Sequence, residues 1–150
     1  MEFTASNINK FLLFKLPSAF ICGVRARHID QERCEVSVKH RWINQNPFNS
    51  MYFAVQAMAA ELSTGALVMS KIRKSERKIS MLVANNKCQF SKKAIGKITF
   101  TCTDGESIAK TISKAIESGE GQTCWMKSIG INENGETVSE MHFEWTIKAK

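Results

Sequence analysis

The sequence holds no CxxC pair, no HExxH spacing, no internal repeat and no low-complexity linker. Its five cysteines, Cys22, Cys34, Cys88, Cys102 and Cys124, are odd in number and widely scattered. That argues against zinc and against a disulfide scaffold, and favours a reduced, cytoplasmic setting. No apolar run approaches the roughly 18 residues expected of a transmembrane helix. Glu2, with no basic segment ahead of a long apolar core, does not resemble the start of a signal peptide. A membrane partner is therefore not expected. None of the three histidines, His28, His40 and His142, stands in a metal-ligand spacing. Their strand-like surroundings make them structural or surface residues, and no metal is expected.

What is present bounds the class. The 150 residues fit one domain, 1–150, large enough to bury about two-thirds of its unfolded surface. A hydrophobic share of 43% with 23% charged residues excludes a disordered chain. Lys and Arg number 21 against 14 Asp and Glu, a net charge of +7. Such a balance suits a polyanionic partner, either nucleic acid or a phosphorylated cofactor, and equally a solvated surface. Nucleic acid is the weaker choice, because no recognised binding motif accompanies the charge and the aromatics are committed to the core.

Periodicity outlines the elements. Residues 5 to 16 form a short amphipathic helix with Ile8, Phe11 and Leu12 on one face and Pro17 beyond its end. Alternation in Cys22–Arg27 and again in Cys34–Trp42, around the polar Asp30–Arg33, predicts an antiparallel hairpin. A long apolar helix follows over about 49–70, ended by the charged Lys71–Lys78. Strands are expected at about 79–90 and 97–103, joined by a turn at Lys92–Lys97. Thr103-Asp-Gly-Glu106 has capping-box spacing and opens a second helix, with Ile108, Ile112, Ala115 and Ile116 in its stripe. Gly119 and Gly121 stop it. The last strands, 122–131 and 137–148, flank Asn132-Glu-Asn-Gly135, whose Asn-Gly is a strong hairpin signal. Six strands, mostly in hairpins, and one dominant helix predict an α+β protein with an antiparallel sheet wrapped round that helix.

The long helix is the most informative stretch. From Met51 to Leu62 only Gln56 and Glu61 are strongly polar. A helix apolar on nearly every side is normally enclosed by the rest of a fold. A carboxylate there has lost much of its water, which raises its pKa and its basicity. Glu61 is thus a candidate general base, against the alternative of a satisfied structural acid. Asn46, Asn49 or Ser50 could cap the start of the helix.

This order of elements resembles the hotdog fold. Residues 46 to 65 further resemble small acyl-CoA thioesterase-like proteins related to phenylacetate-pathway thioesterases, and within them single-domain proteins of the DUF4442 type. The usual motif of such enzymes has an upstream Asn, then His-Gly-Gly at the helix start, then Asp or Glu nine residues after the His. Asn46 matches the Asn and Glu61 the acid, whereas Tyr52, Phe53 and Ala54 hold the His-Gly-Gly positions. An aromatic in place of the His is compatible with the DUF4442-type branch.

The resemblance implies thioester hydrolysis at a site formed across a dimer. Glu61 would be general base or nucleophile, and the Phe53 amide, with Tyr52 beside it, would hold the oxyanion. Asn46 and Asn49 would orient water or the carbonyl, and Met58 would line the acyl tunnel with Tyr52 and Phe53. Coenzyme A enters only as part of the substrate. Its phosphates would meet Arg73, Lys74 and Arg77 after the helix, or Lys92 and Lys93 in the turn. The implied assembly is a homodimer or a tetramer. A non-catalytic acyl-CoA-binding or regulatory hotdog protein is the alternative, favoured by the missing His-Gly-Gly. A dehydratase is disfavoured, since the Asp-then-His pair of such hotdog enzymes is missing from this helix.

Overall fold

The computed structural model describes residues 2–150. Helix α1 (Ala5–Lys15) begins at Thr4, whose hydroxyl accepts the Asn7 N–H at 3.1 Å. Pro17 then opens a short second helix, α2 (Pro17–Ile21), where its fixed φ suits the first turn. Cys22 therefore ends a helix and does not start a strand. Strands β1 (Arg25–Ile29) and β2 (Cys34–Lys39) form the expected hairpin. Trp42, expected in the second run, lies instead in a single 3-10 turn, Trp42–Asn44, and is 80% exposed.

Helix α3 runs Phe53–Ser75, later at both ends than its apolar run indicates. The charged Lys71–Ser75 segment forms its last turn, where basic side chains complement the negative dipole end. Strands β3 (Ile79–Phe90), β4 (Lys97–Cys102), β5 (Gln122–Ile131) and β6 (Thr137–Ala149) follow, with helix α4 (Gly105–Ser118) between β4 and β5. Asp104 precedes α4, but no side chain caps it and the capping box is not made. The Asp104 carboxylate is engaged elsewhere, accepting the Lys127 N–H at 2.8 Å. The β5–β6 hairpin turns at Gly135, whose φ of +78° is easy for glycine.

All six strands form one antiparallel sheet in the order β1-β2-β4-β5-β6-β3. Residues 91–96 are thus no hairpin turn. They carry the chain from the β3 edge past the ends of β6 and β5 to β4, and the Ser91 and Lys92 N–H groups donate to Val138 O on the way.

Helix α3 packs across one face of the sheet, most closely against β2, β4 and β5. Its positions 62–68 are all buried, among them Leu62, Leu67 and Val68. Each such aliphatic contributes about 1.5–3 kcal/mol by leaving water. By length and composition α3 could cross a membrane, yet most of that stretch is enclosed by the sheet. Two polar pairs are built into this interface. Ser63 Oγ lies 2.7 Å from Ser128 Oγ, and Trp145 Nε1 donates to Thr64 Oγ1 at 2.9 Å.

Candidate functional site

The segment before α3 is held by asparagines. Asn44, 2% exposed, donates its amide to Cys22 O and Lys39 O and accepts the Arg41 N–H. Asn46 closes the next loop: its Oδ1 accepts the N–H groups of Phe48 and Ser50, and its Nδ2 donates to Ser50 Oγ. Asn49 is exposed in the left-handed region at φ +59°. None of Asn46, Asn49 and Ser50 caps α3, contrary to the capping expectation, because their polar groups are spent on the loop or turned to solvent. Tyr52 is the residue before the first turn, with no side-chain hydrogen bond to it.

Four N–H groups open any α-helix without a partner of its own. Here the Val55 and Gln56 N–H groups turn back to Tyr52 O. The Phe53 and Ala54 N–H groups have no partner among the described residues. They stand at the positive end of a 23-residue helix, where developing negative charge is stabilised.

A groove of about 500 Å³ lies over this helix start. Its walls include Phe48, Tyr52, Phe53 and Phe90, and Lys92 and Lys93 stand at the rim. Tyr52 packs edge-on to Phe53, and Phe53 edge-on to Phe90. Tyr52 and Phe53 remain about half exposed, at 48% and 55%. Lys92 is paired with Glu136, and the Lys93 ammonium donates to Phe48 O.

Gln56 also lines the groove, and it was not among the residues chosen from the motif. It is 4% exposed, and its Oε1 is buried with no partner among the described residues. An amide oxygen left so costs about 1–3 kcal/mol, which a ligand donor would recover. The signal was present in the sequence, since Gln56 is the other strongly polar residue of that apolar stretch.

Glu61 is half-buried, not deep. It lies on a stripe with Ala54, Ala57 and Met58, which the sheet leaves partly uncovered at helical spacing. Burial alone pushes its pKa up, and among the described residues no cation pairs with it. Gly65, one turn on, packs its backbone against the Trp145 ring. A Cβ at Gly65 would stand 3.1 Å from the Trp145 ring and 3.5 Å from Glu61 Oε1. From Phe53 to Glu61 the helix rises about 12 Å. Glu61 does not line the Phe53 groove, so one chain does not bring acid and oxyanion donors together.

The basic residues in the last turn of α3 and just beyond it divide. Arg73 and Arg77 line a second hollow of about 650 Å³, floored by Met69, Ile72 and Met81. It lies about 30 Å along the helix from Phe53. Lys74 turns the other way and donates to Gln31 Oε1. Only Lys92 and Lys93 share the groove with Tyr52 and Phe53.

His28 faces Asp30 at 2.7 Å and His142 faces Glu140 at 3.3 Å. Among the described residues no group of three His, Cys, Asp or Glu side chains could hold a metal. Cys34 and Cys102 are register partners in the core, and burial pushes both thiols up to about 12.

Several solved structures share this architecture from end to end. PA5026 of Pseudomonas aeruginosa, described as a probable thioesterase, is 22% identical, with a TM-score of 0.84 over 100% of this chain and 99% of its own. OLEI01261 of Chlorobaculum tepidum, of unknown function, is 14% identical with a TM-score of 0.82 over 98% of each chain. The thioesterase HI1161 of Haemophilus influenzae is 14% identical with a TM-score of 0.73, covering 99% of this chain and 93% of its own. At these identities the likeness establishes the fold, which is the hotdog arrangement of sheet around helix. No curated protein matches the chain at a significant level. The family model "Domain of unknown function (DUF4442)" matches residues 4–147. The chain therefore belongs to the DUF4442 family, with the hotdog fold of thioesterase-like proteins.

Proposed function

We propose that the protein hydrolyses the thioester of an acyl-CoA, with Glu61 as general base or nucleophile and the Phe53 N–H as oxyanion donor. The observation that carries this reading is the pair of uncommitted N–H groups at Phe53 and Ala54, set beside an aromatic groove. A tetrahedral intermediate needs such donors, and removing one typically costs about 10²–10³ in rate. Because Glu61 lies about 12 Å along the helix from them, the acid of one protomer works with the helix start of its partner. Two features suit that two-fold arrangement. Among the described residues strand β3 pairs with β6 alone and leaves its other edge free. The stripe around Met58 and Glu61 is only partly covered. The thioesterases of the same fold support the substrate class.

Within this reading Met58, Tyr52 and Phe53 meet the acyl chain, and Lys92 and Lys93 meet anionic parts of the coenzyme. Asn46 acts by shaping the loop, and Gln56 offers an acceptor to the substrate or to a bound water. The protein is assigned to the cytoplasm on its unpaired cysteines.

The test is steady-state hydrolysis across acyl-CoA chain lengths, wild type against Glu61→Gln. The expected loss in kcat is at least 10²-fold, the lower range for an acid–base group. Turnover unaffected by the substitution would remove Glu61 from the mechanism. Saturable acyl-CoA binding with no turnover by wild type would favour a non-catalytic acyl-binding protein. That second reading has its own observation, the bulky Tyr52 and Phe53 where an open backbone is usual.

A further inference from the structure

The outer face of the β1-β2-β4 half of the sheet carries a compact set of cations. Arg25 and Arg27 on β1, Lys39 on β2, Lys97 on β4 and Arg41 just after β2 line one pocket of about 290 Å³ with Gly23. Register explains the convergence. Arg25 pairs with Ser37 and Lys39 with Lys97, while the alternate residues Ala26, Val36, Val38 and Ile98 face the core. Lys39 and Lys97 thus stand directly opposite each other, an arrangement of like charges that costs stability. No carboxylate lines the pocket, and among the described residues none of the five cations makes an ion pair. Glu133 accepts the Lys97 backbone N–H, and Glu35, on the same face of β2, pairs with Arg33.

The site is built as well as charged. Arg25 donates to Phe20 O and Val24 O and lies 3.6 Å over the Phe20 ring. Arg27 Nε donates to Ser37 Oγ at 2.7 Å. The Arg41 guanidinium rests on Gly23, where a Cβ would come within 2.5 Å of Nη2. Gly23, at φ +93°, leaves the space that Arg41 occupies. Burial and the charges of Arg41 and Arg27 lower the Arg25 pKa, as expected where like charges crowd without a counterion.

We propose that this pocket binds a phosphate or diphosphate group. A single carboxylate would leave most of five charges uncompensated, whereas phosphate oxygens carry two or more charges and match guanidinium forks. The volume lies just below the usual ligand-pocket range of ~300–1,000 Å³, so it takes a phosphate head and not a whole coenzyme. The pocket is distinct from the groove at Phe53, and the proposal does not rest on hydrolase activity.

The probe is inorganic pyrophosphate, titrated calorimetrically into the full chain. Wild type is expected to bind saturably, and affinity should fall at least about tenfold in Arg41→Ala and in the double variant K39Q/K97Q, the loss of charge-assisted bonds. The double variant should hold or raise Tm without pyrophosphate, since like-charge repulsion is relieved, and should lose the Tm rise on adding it. K110Q/K114Q, which removes the same charge from α4, should bind as wild type does. No binding of pyrophosphate at millimolar concentration would overturn the site. So would equal weakening in both double variants, which would reveal a mere effect of net charge. If bound pyrophosphate is displaced by coenzyme A, the phosphate belongs to that coenzyme. If not, it belongs to a separate phosphorylated compound.

Discussion

Glu61 combines partial burial with the lack of any cationic partner among the described residues, and this has a consequence for stability apart from catalysis. Its folded-state pKa is raised above the ordinary 4.5 by burial. The folded state therefore holds the proton more tightly than the unfolded chain, and stability falls as pH rises from the unfolded value through the folded one. Glu61→Gln is expected to melt higher than wild type at neutral pH and to lose that advantage below pH 4.5, where both side chains are neutral. Thermal scans across pH read this directly, and an advantage that persists at acid pH would contradict it. The same raised pKa sets the foot of the activity profile, because a general base works only once deprotonated. That Glu61 is unusual was legible from its apolar neighbours. How far it is exposed was not, because this depends on which stripe of α3 the sheet leaves uncovered.

At the scale of elements, α3 teaches the most. Its apolar run and basic end mark a long core helix, as found. Its true start was hidden, since Asn46, Asn49 and Ser50 all look like caps while the loop consumes or exposes their polar groups. The open helix start is thus a product of tertiary contacts, above all Tyr52 N–H to Asn44 O and Met51 N–H to Ala94 O. Gly65 offers a test of packing within the same helix. Propensity favours Ala there by about 0.5–1 kcal/mol. The new methyl would press on Trp145, which is 4% exposed and tied to Thr64 and so cannot give way. Overpacking of about 1–3 kcal/mol should outweigh propensity. Gly65→Ala is expected to lower Tm by roughly 2–4 °C, and a higher Tm would show that Trp145 moves freely.

For the whole molecule the decisive matter is how two helix starts and two acids meet. Phe53 is the first residue of α3, a position where proline keeps the helix and removes the N–H. Phe53→Pro and Glu61→Gln should each lack turnover alone. Mixed under conditions that exchange subunits, they should recover about a quarter of wild-type activity, since half of randomly paired two-fold dimers are mixed and each has one intact site. Light scattering should give the mass of two chains or of a tetramer. A monomeric mass with full activity would sink the shared site.

The sequence by itself determined the six strands, the three main helices and the candidate acid, because hydrophobic periodicity is local and reads directly as strand or helix, whereas the short α2 and the 3-10 turn at Trp42 left no such pattern. Only the tertiary structure decided the sheet order, the crossover at 91–96, the uncapped start of α3 and the pocket of five cations. Each of these arises between residues far apart in the chain. Arg25 and Lys97 become neighbours only through β2, and no local pattern records which strand lies beside which.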